Sequence, residues 1–162
     1  MNEREIAHIV TAALERVMEE KSKKMTLSLA KKIIHKVILK AEEIGVKAVV
    51  AVTDEGANPV CVECMDDSYI ASYDIALNKA YTVVGLKMST KDLKPLASPG
   101  GSLYGIQFTN NGRIVIFGGG VPLKVGDKVI GGVGVSGGTE EQDTYLADYA
   151  EGLFEEGGLW NE

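Results

Sequence analysis

The sequence predicts an α+β domain, an antiparallel sheet covered by helices, preceded by a separate amphipathic helix. Three observations carry this. Apolar residues recur at helical spacing over residues 27–44 and 70–84, whereas 47–52 and 60–65 read as strands. Turn-forming stretches, TDEGANP (53–59) and Gly126-Asp127, sit between strand pairs and make consecutive hairpins. The element order is α, β, β, α, loops, β, β, β, α, with five strands, and consecutive hairpins favour antiparallel pairing over βαβ crossovers.

The extra N-terminal helix is read from Ile6, Val10, Ala13, Leu14, Val17 and Met18, with charges filling the opposite side. Asn2 is its N-cap, and Glu3 and Glu5 answer the dipole. Residues 1–24 hold five basic and five acidic side chains, so the acidity of the protein belongs to the rest of the chain. Residues 21–25 read as a linker and 26–162 as the folded domain. A short helix alone is marginal in water, so its apolar stripe needs a partner. Three partners are open: its own domain, a membrane surface, or another protein by helix-in-groove docking. The membrane fits least, because surface-binding helices are rich in Lys and Arg.

Within the domain, Thr26 or Ser28 caps a helix whose apolar positions are Leu27, Ala30, Ile34, Val37, Ile38, Ala41 and Ile44, and Gly45 ends it. Leu29, Ile33 and Leu39 fall outside that stripe, so this helix touches its own sheet and something else, such as a second subunit or a flat cofactor. KAVVAV (47–52) and VCVECM (60–65) form the first hairpin, and residues 68–88 form the next helix. RIVIFGG (113–119) is the third strand, and PLKVGDKVIGGVGV (122–135) the closing hairpin. Thr139 and Gln142 make a capping box that opens the last helix.

Length and composition bound the function. A chain of 162 residues with 45% hydrophobic and 25% charged content builds one core. Lys+Arg 17 against Asp+Glu 23 leaves a net charge of −6, which disfavours nucleic acid. No apolar run approaches the ~20 residues of a membrane span. Two cysteines cannot build a disulfide scaffold, and the start lacks a secretory apolar stretch, so a cytoplasmic location is expected.

The candidate motifs narrow quickly. Cys61 and Cys64 have CxxC spacing, but residues three apart on a strand face opposite ways, so ordinary strand cysteines are expected. Gly132, Gly134 and Gly137 match a dinucleotide fingerprint, yet the chain supplies a single following helix and no βαβ crossover. GVSGGTEEQD (134–143) brings a glycine-lined strand end into a helix N-terminus. Either a ligand, such as a small acid, meets the helix dipole there, or the glycines only allow tight packing against the first domain helix. No nucleophile signature is present, and His8 and His35 are the only histidines, so three-histidine metal chemistry within one chain is excluded. One imidazole still suffices for iron held by a porphyrin. His35 lies about a third of a turn from Ile34, at the border of the apolar stripe. It reads either as an axial ligand or as a surface histidine beside Lys31, Lys32 and Lys36.

Two resemblances bear on these alternatives. MNEREIAHIVTAALERVMEE resembles the encapsulation peptides that deliver cargo to bacterial microcompartments. The stretches MTLSLAKKIIHKVILKAEEIGVKAVVAVTDEGANPVCVECMDD, ALNKAYTVVGLKMST, FGGGVPL and IGGVGVSGGTEEQD together resemble the GlcG/HbpS family, including the C-terminal domain of PduO-type proteins. That likeness implies a profilin-like fold with a five-stranded antiparallel sheet, homo-oligomeric assembly, and haem binding through a histidine of the first domain helix, a role only His35 can take. Lys79 and the GVSGG positions Gly134, Ser136, Gly137 and Gly138 match recurrent family positions and are candidate cofactor contacts, with Lys79 also able to pair with a carboxylate. Adenosyltransferase activity belongs to a different domain of PduO-type proteins. The combined expectation is a non-enzymatic haem-binding cargo protein in a microcompartment lumen, contacting shell or cargo proteins through residues 1–20. Two alternatives stand beside it: an enzyme or sensor for small acids using the glycine-rich loop 132–138, and a ligand-free structural component.

Overall fold

The computed structural model describes residues 2–157 and Leu159. Its elements are α1 (Glu3–Ser22), α2 (Leu27–Glu43), β1 (Val49–Asp54), β2 (Pro59–Cys64), α3 (Ile70–Leu86), α4 (Thr90–Ala97), two short 3-10 turns, β3 (Gly120–Val125), β4 (Lys128–Ser136) and α5 (Glu140–Glu155). The end of the expected domain, residues 158 and 160–162, lies outside the described residues, as does Met1.

One antiparallel sheet in the order β2-β1-β4-β3 forms the middle layer. It has four strands among the described residues, where the sequence suggested five. The missing one is RIVIFGG (113–119), two of whose N–H groups go to side chains instead of a ladder. Val115 N–H donates to Thr82 Oγ1 at 3.0 Å and Gly118 N–H to Glu140 Oε1 at 2.9 Å. The segment is thereby strapped to α3 and α5 while Ile114 fills a small cluster with Leu93 and Ala97.

The helices lie on both faces of the sheet. Val50, Val52, Val133 and Val135 point toward α2 and α5, whereas Val49 and Ala51 pack with Ala76 and Ala80 of α3. This double covering explains why β1 is a continuous apolar run and not an alternating one. On β4 the alternation becomes valine against glycine. A Cβ on Gly134 would stand 1.9 Å from the Ala76 carbonyl oxygen, and one on Gly132 would stand 2.6 Å from Val83 Cγ2. The glycine side of the repeat thus lets α3 lie almost on the strand backbone. The tight packing that the glycines serve is against α3, not against the first domain helix.

α2 is capped as expected, Leu29 N–H donating to Thr26 Oγ1 at 3.2 Å. Its core face is Leu29, Ala30, Ile33, Ile34, Val37 and Ala41. Burying each of the larger of these stabilises the fold by about 1.5–3 kcal/mol. Leu29 and Ile33 belong to the core, and Leu27 and Leu39 are the apolar residues left exposed. The buried stripe is rotated toward Leu29 because α2 packs on β1 and β2 and also against α5 beside it.

In α1, Asn2 and Glu5 close a reciprocal cap: Glu5 N–H donates to Asn2 Oδ1 at 2.9 Å, and Asn2 N–H to Glu5 Oε2 at 2.8 Å. The helix runs two residues further than expected, to Ser22. Ile6, Ile9, Val10, Leu14 and Val17 are all exposed, so the stripe is not covered by its own domain. No described helix is long and apolar enough to cross a membrane.

Candidate functional site

β4 delivers Ser136, Gly137 and Gly138 to the place where the N-terminal ends of α3 and α5 meet. There they line a cleft of about 270 Å³, together with Tyr69, Ser72, Ile75, Phe117, Glu140 and Asp143. Gly137 has φ +152°, and a Cβ there would stand 2.3 Å from the Lys47 carbonyl oxygen, so the strand can leave the sheet at this point only with glycine.

Behind the cleft lies a buried ion pair. Lys79 of α3 is fully buried, and its Nζ donates to Asp143 Oδ2 at 2.9 Å and to the Val135 carbonyl at 2.7 Å. The Phe117 ring centroid lies 5.0 Å from the same nitrogen. Asp143 also accepts from Gly138 N–H at 2.9 Å. Burial pushes the Lys79 ammonium down and the Asp143 carboxyl up, and each charge opposes the shift of the other. Glu140, at the rim, is held below the usual carboxylate range by the Gly118 N–H and by its ion pair with Lys94.

These contacts decide what the helix entrance can do. Thr139 N–H donates to Gln142 Oε1 at 2.9 Å and Gln142 N–H to Thr139 Oγ1 at 3.2 Å, the expected capping box. Gly138 N–H is taken by Asp143. The chain caps its own helix with carboxylates Glu140, Glu141 and Asp143 in the first turn. An incoming anion would find these N–H groups occupied and negative charge around them, which argues against the small-acid site.

The expected site residues therefore separate into three places. Lys79 is sealed in its ion pair and Gly134 lies beneath α3, so neither presents surface to a cofactor. Ser136, Gly137 and Gly138 line the cleft. His35 stands elsewhere, on the exposed strip of α2 with Leu39 one turn on, and its ring makes no hydrogen bond or ion pair among the described residues. Cys61 and Cys64 lie on opposite faces of β2, unpaired with each other, Cys61 half-buried and Cys64 exposed. No cluster of three His, Cys, Asp or Glu side chains suited to a metal ion occurs among the described residues. Ser72 and Phe117 are cleft residues that sequence reasoning missed. Asp143 was read only as a dipole partner, and nothing local links it to a lysine 64 positions earlier.

The family described as "Haem degrading protein HbpS-like" matches residues 25–151. The chain belongs to this HbpS-like family. A Citrobacter freundii relative, an uncharacterized 15.0 kDa protein of the dhaT-dhaS intergenic region, is 51% identical over 132 residues, covering 82% of this chain and 93% of its own. The corrinoid adenosyltransferase PduO of the same organism is 35% identical, and the match covers 70% of this chain but 34% of that protein. Among solved structures, the complex of PduOC with haem superposes with a TM-score of 0.77 at 31% identity, over 80% of this chain and 94% of that one. The matched span of this HbpS-like protein holds the glycine-rich β4 and the helices on both faces of the sheet.

Proposed function

We propose that this HbpS-like protein binds haem through His35 as a homo-oligomer, without catalysing a reaction of its own, inside a bacterial microcompartment that α1 addresses. The observation that carries the reading is the likeness to a solved haem complex, combined with His35 being the sole histidine of residues 25–151.

The donor chemistry fits. The His35 ring is exposed, its nitrogens are engaged by no other described group, and Leu39 offers an apolar neighbour one turn away. Lys31 and Lys36 stand beside it in sequence as partners for carboxylates of the macrocycle. When bound, haem supplies iron-based redox chemistry that no side chain of this protein provides. The enclosure is incomplete in one chain, since the cleft at Ser136–Gly138 does not include His35. A second copy is therefore the natural cover for that strip of α2. Exposed apolar side chains elsewhere, Ile70 at 98% and Tyr73 at 51%, also favour assembly.

Haem titration followed at the Soret band, for wild type and His35→Ala, tests the site. Equal spectra and affinity would remove His35 from the mechanism. The family description favours a second reading, breakdown of haem. A Soret band that bleaches with iron release in the presence of a reductant and oxygen supports breakdown, and a stable band supports a carrier or sensor. For α1, a fluorescent protein fused to residues 1–22 should copurify with microcompartment shells.

A further inference from the structure

We propose that the cleft between the N-terminal ends of α3 and α5 binds a small uncharged molecule bearing a hydroxyl or carbonyl oxygen. Ser72 and Ser136 form its polar floor and are 3% and 5% exposed. Ser136 Oγ donates to Ser72 Oγ at 3.1 Å, which uses one of their two hydroxyl protons. The second proton has no acceptor among the described residues, and both serines line the cleft. A buried donor left without an acceptor is costly, and a ligand oxygen in the cleft would relieve it.

Charge and shape set the ligand class. The two carboxylates that border the cleft are already neutralised, Asp143 by Lys79 and Glu140 by Lys94. No lysine or arginine lines it, so a carboxylate or phosphate has no counter-charge to meet. Cations have no unpaired carboxylate to meet either. Tyr69, Ile75 and Phe117 supply an apolar wall for a short carbon skeleton. With a water occupying about 30 Å³ of liquid, a space of about 270 Å³ admits on the order of ten non-hydrogen atoms at most. Haem is far larger, so this site is separate from that of His35.

The test is titration of the full chain with butanone, isopropanol and butanoate, read from backbone amide NMR signals. The neutral probes should shift Ser72, Ser136, Gly137 and Gly138 saturably, with dissociation constants on the order of millimolar. Butanoate should leave them in place. Ser72→Ala with Ser136→Ala should weaken the neutral probes by about tenfold or more. Ala71→Leu, at an exposed position on the rim, should also weaken them without touching the buried pair. His35→Ala should bind them as wild type does, whatever its haem affinity. The proposal is overturned by the absence of saturable shifts with both neutral probes, by equal shifts with butanoate, or by unchanged affinity in both cleft variants.

Discussion

Asp143, in the first turn of α5, accepts a hydrogen bond from Lys79 in the middle of α3 across the end of β4, at 2.9 Å and out of solvent. The lysine is fully provided for: one proton goes to Asp143, one to the Val135 carbonyl, and the Phe117 ring packs over the ammonium. Gly119, with φ +111°, makes room, since a Cβ there would stand 2.5 Å from Nζ. The pair ties the two helices and the 117–119 segment into one unit and thereby fixes the shape of the cleft.

Breaking that pair on one side should be severe. Asp143→Asn keeps the shape but strands the Lys79 charge, and is expected to lower the unfolding free energy by about 3–5 kcal/mol. The double variant Lys79→Met with Asp143→Leu removes both charges and should be less destabilised than Asp143→Asn. Urea unfolding of the variants checks this, and a double variant worse than Asp143→Asn would contradict it.

Glu151 offers a test by pH. Burial, and then the neighbouring carboxylates Glu155 and Asp148, push its carboxyl above the ordinary 4.5. Between the unfolded and folded values the native state holds the extra proton, so stability falls as pH rises through that interval. At neutral pH the ionised group is a liability, and Glu151→Gln should raise stability by somewhat under about 1 kcal/mol, since the site is half-exposed. The gain should vanish below pH 4.5, where Glu151 is protonated in both states. Urea midpoints at neutral and acid pH decide it.

The parts of this architecture that were legible in the sequence are those written locally. The hairpin at Gly126-Asp127, the Thr139–Gln142 box and the Asn2 cap each depend on residues a few positions apart. Residues 113–119 have the β-branched look of a strand, but the N–H groups of Val115 and Gly118 are claimed by Thr82 and Glu140, which no nearby spacing reveals. The phase of α2 is not legible because Leu27 and Leu29 are equally apolar, and the packing of the helix on β1, β2 and α5 decides which is buried. Lys79 and Asp143 find each other through the chain's path, as do Ser72 and Ser136.

Two glycines, Gly134 of β4 and Gly85 of α3, should respond in opposite ways to the same substitution. Gly134→Ala places a methyl group 1.9 Å from the Ala76 carbonyl oxygen, so α3 must lift from the sheet. Overpacking of this kind costs about 1–3 kcal/mol. Gly85 lies exposed within α3 with nothing within 4 Å of a new Cβ. Gly85→Ala should therefore stabilise by about 0.5–1 kcal/mol through helix propensity. Thermal unfolding of both variants checks the sign of each.

Deletion of residues 1–22 tests whether α1 serves the fold of its own domain. Leu14 is 57% exposed and Met18 71%, and the other apolar side chains of the α1 stripe are exposed as well, so the domain core loses little when the helix goes. The core resides in α2, the sheet and α5, with α3 on the far face. The truncated chain should unfold in urea within about 0.5 kcal/mol of the full chain, the range of a change that touches no buried contact. It should also keep its haem titration, because His35 lies on α2. A helix that matters to neither stability nor haem, yet presents an apolar stripe, is suited to docking in the groove of another protein. A large loss of stability on truncation would instead mean that the stripe serves the core of an assembled oligomer.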